Sequence, residues 1–450
     1  MRELKENKMG TMPVGKLLIS MSLPMMISML VQALYNVVDS IFVSRISEDA
    51  LTAVSMAFPM QSLCIALGAG MGVGVNALLS KSLGAKDYET VNKTAMNGLF
   101  MTAVNYIIFL ILGLTCVRGF YMLQTNSETI ISYGYDYLSV ICLFSFGMFF
   151  QFTFERLLQS TGRTFQSMIT QTTGAITNII LDPIFIFGLF GVKAYGVKGA
   201  AIATVIGQIV SGTFAMIMNL KVNKEIHFSL RDFRPDFKII AQIYKVGIPS
   251  IIMQSIGSVM VFSLNKILIA FSSTAVAVFG VYFKLQSFVF MPIFGLNNGI
   301  IPVIAYNYGA KKRKRMLDSV KCGLAVAMSI MVVGMIVFEL IPTNLLLLFD
   351  ASENMLSIGT VALRIIAIHF PVAAICIVLG STFQALGSAI YSMFVSIARQ
   401  LIVLIPVAYF LSKLGSVNYV WFCFPIAELM SLTITLVCFF KLKREVIDLV

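Results

Sequence analysis

Two carboxylates stand inside long apolar stretches of this chain, Asp39 within 16–44 and Asp182 within 164–190. An ionisable group in hydrocarbon is costly and needs a partner or a wet cavity. Both stretches enter from the same side, so the two acids fall at matching depths. Asn178 precedes Asp182 by one helical turn and shares its face. Pro183, directly after Asp182, removes a backbone donor and frees a carbonyl nearby. Two carboxylates facing one cavity suit a proton, because burial and a neighbouring like charge favour a protonated carboxyl in general. Sodium would instead require several oxygens, which Asp39, Asn178, Asp182 and Thr204 could supply. The structural alternative is two acids satisfied separately.

The elements that must position these residues are membrane-spanning helices. With 58% hydrophobic and 12% charged residues, the chain has too little charge to cover a soluble surface, where about a quarter of residues are charged. Apolar runs of about 20 residues suit spanning helices, and twelve are expected: 16–44, 52–80, 94–117, 131–155, 164–190 and 196–219, then 241–270, 277–306, 316–342, 356–378, 389–411 and 417–440. Barrel strands would be short and alternating, unlike these runs. The polar segment from Lys221 to Lys245 is the longest internal connection. The expected organisation is an N-terminal lobe over 1–219, a linker over 220–240 and a C-terminal lobe over 241–450.

Basic residues set the orientation. Alternate connections, with both ends, hold 24 Lys and Arg, among them Lys311 to Arg315, against five (Arg45, Arg118, Lys193, Lys198 and Lys413) on the other side. This bias places both termini in the cytoplasm of a multi-pass protein of the cell's inner membrane. It also accounts for the net charge of +12 without a nucleic-acid partner. No small-residue cleavage site follows the first span, which is expected to be retained. The seven cysteines lie scattered in apolar spans without a CxxC pair and read as core residues.

The two halves repeat each other 225 positions apart. Pro24 falls on Pro249, Phe58, Gln61 and Ser62 on Phe283, Gln286 and Ser287, and Gly70 and Gly74 on Gly295 and Gly299. Gly84-Ala85-Lys86 falls on Gly309-Ala310-Lys311, and Gln159 and Gly162 on Gln384 and Gly387. In duplicated transporters, substrate and ion sites lie where repeats meet, near broken or kinked helices.

Asn36-Val-Val-Asp39-Ser-Ile-Phe-Val43, Gln159-Ser-Thr-Gly162, Asn178-Ile-Ile-Leu-Asp182-Pro183 and Gly199-Ala-Ala-Ile-Ala-Thr204 resemble the MATE multidrug exporters, as does the stretch from Phe283-Lys-Leu-Gln286 through Tyr306-Asn-Tyr-Gly-Ala-Lys311. The resemblance covers essentially the whole chain. It implies an all-α protein of twelve helices in a V-shaped pair of six-helix lobes, which exchanges organic cations for protons or sodium by alternating access. It also implies a monomer with small organic substrates and a bilayer as partners, and no cofactor beyond the coupling ion. In the branch whose ion site lies in the N-terminal lobe, an Asp of the first helix and an Asn and Asp of the fifth hold that ion. Asp39, Asn178 and Asp182 match them, and Thr204 is the expected fourth member. The same three residues are the candidate sodium ligands.

Where the C-terminal-lobe branch carries acids, this chain offers Asn265, Lys266, Arg364 and His369. His369 reads as a packed histidine, the Arg399 and Glu428 pair as a packing device, and Lys266 and Lys284 as snorkelling cations. Glu155-Arg156 reads as a gate or an interface charge. Tyr35, Gln61, Met253 and Gln286 are the candidate substrate-cavity residues, and Pro24 and Pro183 the candidate hinges. The chain's Met, Phe and Tyr permit binding of flat, greasy cations. Two other functions stand beside export. A lipid-linked oligosaccharide flippase would line its cavity with cations. An intramembrane aspartyl protease built on Asp136 and Asp182 would show Gly-x-Gly-Asp where the chain has Ile180-Leu181-Asp182.

Overall fold

A computed structural model describes residues 6–229, 233–349 and 351–449. Arg2, Lys5, Arg231 and linker positions 230–232 lie outside the described residues. Twelve long helices fill the positions expected from the sequence. In the first half they are α1 (Val14–Ser44), α2 (Glu48–Gly84), α3 (Tyr88–Thr115), α4 (Glu128–Leu143 and Phe146–Ser160), α5 (Thr164–Phe187) and α6 (Val197–Val222). The second half holds α7 (Phe237–Leu268), α8 (Ser273–Gly309), α9 (Arg313–Leu340), α10 (Glu353–Ala367 and Phe370–Ala385), α11 (Ala389–Ser412) and α12 (Val417–Ile447). Among the described residues, nine helices have the length and composition of a membrane span, and eleven do when the two bent pairs, α4 and α10, are each taken as one. The remaining helix is α5. Its polar face, with Ser167, Gln171, Asn178 and Asp182, keeps it below that threshold.

The duplication extends to backbone detail. Ser47 and Ser272, 225 positions apart, each close a helix N-terminus by accepting from the amide three residues on, at 3.0 and 3.1 Å. Such caps satisfy donors that a helix end leaves orphaned. Lys86 and Lys311 both take left-handed φ angles, 60° and 55°, and Gly162 and Gly387 follow with 85° and 77°. The side-chain-free glycine bears that conformation without steric cost. Helices α4 and α10, related by the same repeat, bend by 45° and 47°.

Each six-helix lobe has its own apolar core. One gathers Phe109, Tyr121, Phe149 and Ile186, and the other Phe279, Phe370, Phe383 and Trp421. A third core, with Met9, Met21, Leu79, Ile243 and Tyr306, joins the lobes at the end that carries the termini and most basic residues, called here the basic end. There α1 packs on α8 and α2 on α7. A methyl group at Gly84 would overlap the Tyr306 carbonyl oxygen, and one at Gly309 the Lys81 carbonyl oxygen. These are repeat-related contacts across the lobe interface, and only glycine lets the backbones approach so closely. The N-terminal turn, Lys8–Thr11, ties the two lobes at the same end. Asn7 donates to the Thr161 carbonyl at 2.9 Å, while Arg315 donates to the Met12 carbonyl at 2.6 Å and Asn307 to the Met9 carbonyl at 3.1 Å.

Candidate coupling site

The α5–α6 hairpin determines which residues meet. Gly188 ends α5 with a left-handed φ of 78°, and the chain folds back so that the amides of Tyr195 and Gly196 donate to the carbonyls of Phe185 and Ile186 at 2.9 and 3.2 Å. Further down, Gly174 and Gly207 face each other, and a side chain on either would press on the other's carbonyl oxygen. The two helices therefore run in close contact, and Thr204 of α6 is held against Asn178 of α5.

With its amide turned to satisfy both ends, Asn178 donates to Asp182 Oδ2 at 3.2 Å and accepts from the Thr204 amide and hydroxyl at 3.1 and 3.3 Å. Asp182 is fully buried and Asn178 nearly so. Asp39 of α1 is close enough for its charge to act on Asp182, and its Oδ1 is buried without a hydrogen-bond partner. Tyr35, one turn before Asp39 on the same face of α1, lies within electrostatic reach of both acids. Gln61 of α2 donates to the Tyr137 hydroxyl of α4 at 3.0 Å, and Asp39 acts on that tyrosine as well. Among the described residues, no lysine, arginine or histidine pairs with Asp39 or Asp182. Two carboxylates, an amide, a hydroxyl and two phenols thus converge without a fixed positive charge. Such a set can hold one small cation, a proton or sodium.

Of the expected site residues, Asn178, Asp182 and Thr204 are joined directly, and Asp39 and Tyr35 lie beside them. Gln61 reaches the group through Tyr137, which sequence spacing did not reveal. Its only sequence signal was that it follows Asp136 in a span; Asp136 itself forms no hydrogen bond with Asp39 or Asp182 among the described residues. Met253 and Gln286 belong to α7 and α8 of the other lobe, and no described hydrogen bond connects either to Tyr35 or Gln61. Pro24 and Pro183 leave α1 and α5 continuous. The Ser20 carbonyl that Pro24 deprives of its donor accepts from the Thr164 hydroxyl at 3.2 Å.

The corresponding face of the C-terminal lobe is chemically different. Arg399 of α11 donates to Glu428 of α12 at 3.0 Å, and the His369 ring stacks on Phe424 with centroids 5.8 Å apart. Lys266 and Lys284 extend over Phe262 and Phe349.

A sequence model of the MatE family matches this chain twice, over residues 24–184 and 249–410, and the two matches begin 225 positions apart, at the offset of the internal repeat. The chain belongs to the MatE family. It is a membrane transporter of that family and not an enzyme. Over 96% of its length it is 27% identical to the multidrug export protein MepA of Staphylococcus haemolyticus, covering 94% of that protein. In three dimensions it is similar to a structure described as the outward-facing conformation of a multidrug resistance MATE family transporter, with a TM-score of 0.92, 26% identity and coverage of 99% of this chain and 100% of that one. It is also similar to a superfamily transporter from Pyrococcus furiosus whose binding pocket is described as reversed in polarity, with a TM-score of 0.90, 26% identity and 98% coverage of both chains. The MatE fold thus brings four helices of the first repeat, α1, α4, α5 and α6, together around the two carboxylates.

Proposed function

We propose that this MatE protein exports organic, mainly cationic compounds from the cell in exchange for protons or sodium ions, and that Asp39, Asn178, Asp182 and Thr204 hold the coupling ion. The observation that carries the reading is the carboxylate pair, Asp182 fully buried and Asp39 with its Oδ1 buried, without a cationic partner among the described residues. Charge left uncompensated in a low-dielectric lobe is a standing demand for a cation. Empty, the two acids repel each other. Binding of the ion removes that repulsion and lets α1 approach α5, which narrows the N-terminal-lobe cavity and expels substrate. Lobes 1–219 and 241–450 rock about the linker 220–240, with Pro24 and Pro183 giving α1 and α5 places to bend.

The basic end is the cytoplasmic side of the cell membrane under the positive-inside rule, so the lobes are sealed toward the cytoplasm and the cavity opens outward. The likeness to a transporter described as outward-facing supports this direction. Tyr35 and Gln61 from one lobe, with Met253 and Gln286 from the other, line the substrate path of a chain that works as a monomer.

Antiport through a shared cavity requires substrate and ion to oppose each other. Dye affinity of the solubilised protein, measured across pH and across sodium concentration, is expected to fall as the coupling ion rises. Affinity independent of both ions would overturn the reading.

A further inference from the structure

We propose that Glu155 is a second protonation site of the N-terminal lobe, an inner station through which coupling protons pass between the Asp39–Asp182 cluster and the basic end. It rests on the reading of that cluster as the coupling site, and it selects the proton as the ion.

Glu155 lies in the second half of α4 and is 1% exposed. Its carboxylate is held by neutral groups from three helices. Gln151 of α4 donates to Oε1 at 2.9 Å, Gln171 of α5 to Oε2 at 2.5 Å, and the Ser211 hydroxyl of α6 lies 3.2 Å from Oε1. A structural acid at this depth would ordinarily be ion-paired. Glu155 is not. Arg156, whose charge acts on it, turns away and donates to Gln159 and Asn298, both at 2.9 Å. The groups that the other packed elements bring to this part of α4 are neutral: α2 presents Gly72 to Arg156, α3 offers Thr102 to Thr153 and α8 offers Asn298 to Arg156, while Ser28 of α1 bonds Gln171.

The Ser211 hydroxyl makes both protonation states acceptable. It also lies 2.9 Å from the Thr170 carbonyl oxygen, and a hydroxyl has a single proton to donate. When Glu155 is ionised, Ser211 donates to it. When Glu155 is protonated, its carboxyl donates to Ser211 Oγ and the serine proton turns to Thr170. No polar atom of the trio is stranded in either state, so the site can change charge without the penalty of an unmade buried hydrogen bond.

The inner site is joined to the outer one by two helices. Gln171, which bonds Glu155, also accepts from Ser28 of α1. On α5, Gln171 and Asn178 are seven residues apart on one face, about 10 Å along the axis. On α1, Ser28, Gln32, Tyr35 and Asp39 follow at spacings of four, three and four, a polar stripe on one face. The transfer is a proton movement alone: a carboxyl of the outer cluster loses a proton, the Glu155 carboxylate gains one, and Glu155 later yields it to water at the basic end.

The test uses the full-length protein in vesicles. Glu155→Gln keeps the shape and hydrogen-bonding pattern of the protonated acid. It is expected to retain dye affinity and dye-for-dye counterflow within twofold, because neither needs net proton transit, and to lose proton-driven turnover at least tenfold. Wild-type proton-driven turnover in E155Q, or equal loss of counterflow, would overturn the proposal. Infrared difference spectroscopy on the Asp39→Asn/Asp182→Asn double variant does not depend on E155Q folding: a titrating buried carboxyl band must remain there, and its absence also overturns the proposal. If the proton opposes dye binding in wild type and E155Q is unimpaired, only the inner station fails. If dye binding responds to neither proton nor sodium, the coupling reading itself fails.

Discussion

The same hairpin has been put to opposite uses in the two lobes. In the N-terminal lobe, α5 and α6 place Asn178, Asp182 and Thr204 beside Asp39 with no cation among the described residues to neutralise them. In the C-terminal lobe, α11 and α12 place an arginine against a glutamate. Glu428 stands one repeat-equivalent position before Thr204, and Arg399 falls on Gly174, where the close α5–α6 contact occurs. Arg399 sits in a stretch of wider π-helical turns, Ala398–Leu404, a local widening often found at specialised positions. A paired acid keeps its charge and fixes packing, whereas an unpaired acid in the same dielectric must recruit a cation from solution. Duplication supplied two equivalent frames, and on the proposed reading charge compensation decides which of them responds to an ion gradient.

The largest effect is expected from neutralising the responsive side. Asp39→Asn and Asp182→Asn should each reduce gradient-driven dye transport to background while leaving a folded, inserted protein, checked by vesicle transport alongside size-exclusion behaviour. Normal transport in both would erase the distinction between the lobes.

Next comes the paired side. Glu428→Gln leaves Arg399, whose side chain is 27% exposed, without its partner, which should cost less than the ~3–5 kcal/mol of breaking a fully buried pair. Thermal unfolding should show that loss, and the molecules that do fold should still respond to the gradient. A variant of unchanged stability that no longer responds would move the coupling into the C-terminal lobe.

A smaller effect is expected at Pro183. Replacing it with alanine restores a backbone hydrogen bond that opposes bending of α5, so turnover should slow several-fold while dye affinity stays within twofold. A loss confined to affinity would make the proline a packing feature. The smallest effect belongs to His369→Gln. The ring is packed among Phe290, Phe370 and Phe424, so the ion dependence of transport should match wild type. Loss of that dependence with retained dye binding would show that the histidine titrates in the cycle.

Much of this was legible in the chain itself. Twelve apolar runs and a 225-residue repeat specify the helices and lobes, because a membrane span is a local property of composition and length. Asn178 and Asp182 were legible for the same reason: one turn of one helix fixes their shared face. What spacing could not give were contacts made only in the folded lobe. Gln61 reaches the cluster through Tyr137, 76 positions away, and Glu155 meets Ser211 across 56. The bends at the two helix breaks were also hidden. They fall in α4 at Phe144–Ser145 and in α10 at Ile368–His369, whereas α1 continues unbroken through Pro24, where the Thr164 hydroxyl satisfies the Ser20 carbonyl that the proline frees.

The most direct measurement compares two double variants in vesicles under an imposed proton or sodium gradient, one ion at a time. Asp39→Asn/Asp182→Asn removes both unpaired acids, and Arg399→Met/Glu428→Leu replaces the pair with apolar side chains of similar size, a change that buried ion pairs often tolerate. The prediction is that the first variant binds dye but ignores the gradient, and that the second transports dye under the gradient as wild type does. Gradient-driven transport retained by the first and lost by the second would contradict the assignment of coupling to the N-terminal lobe.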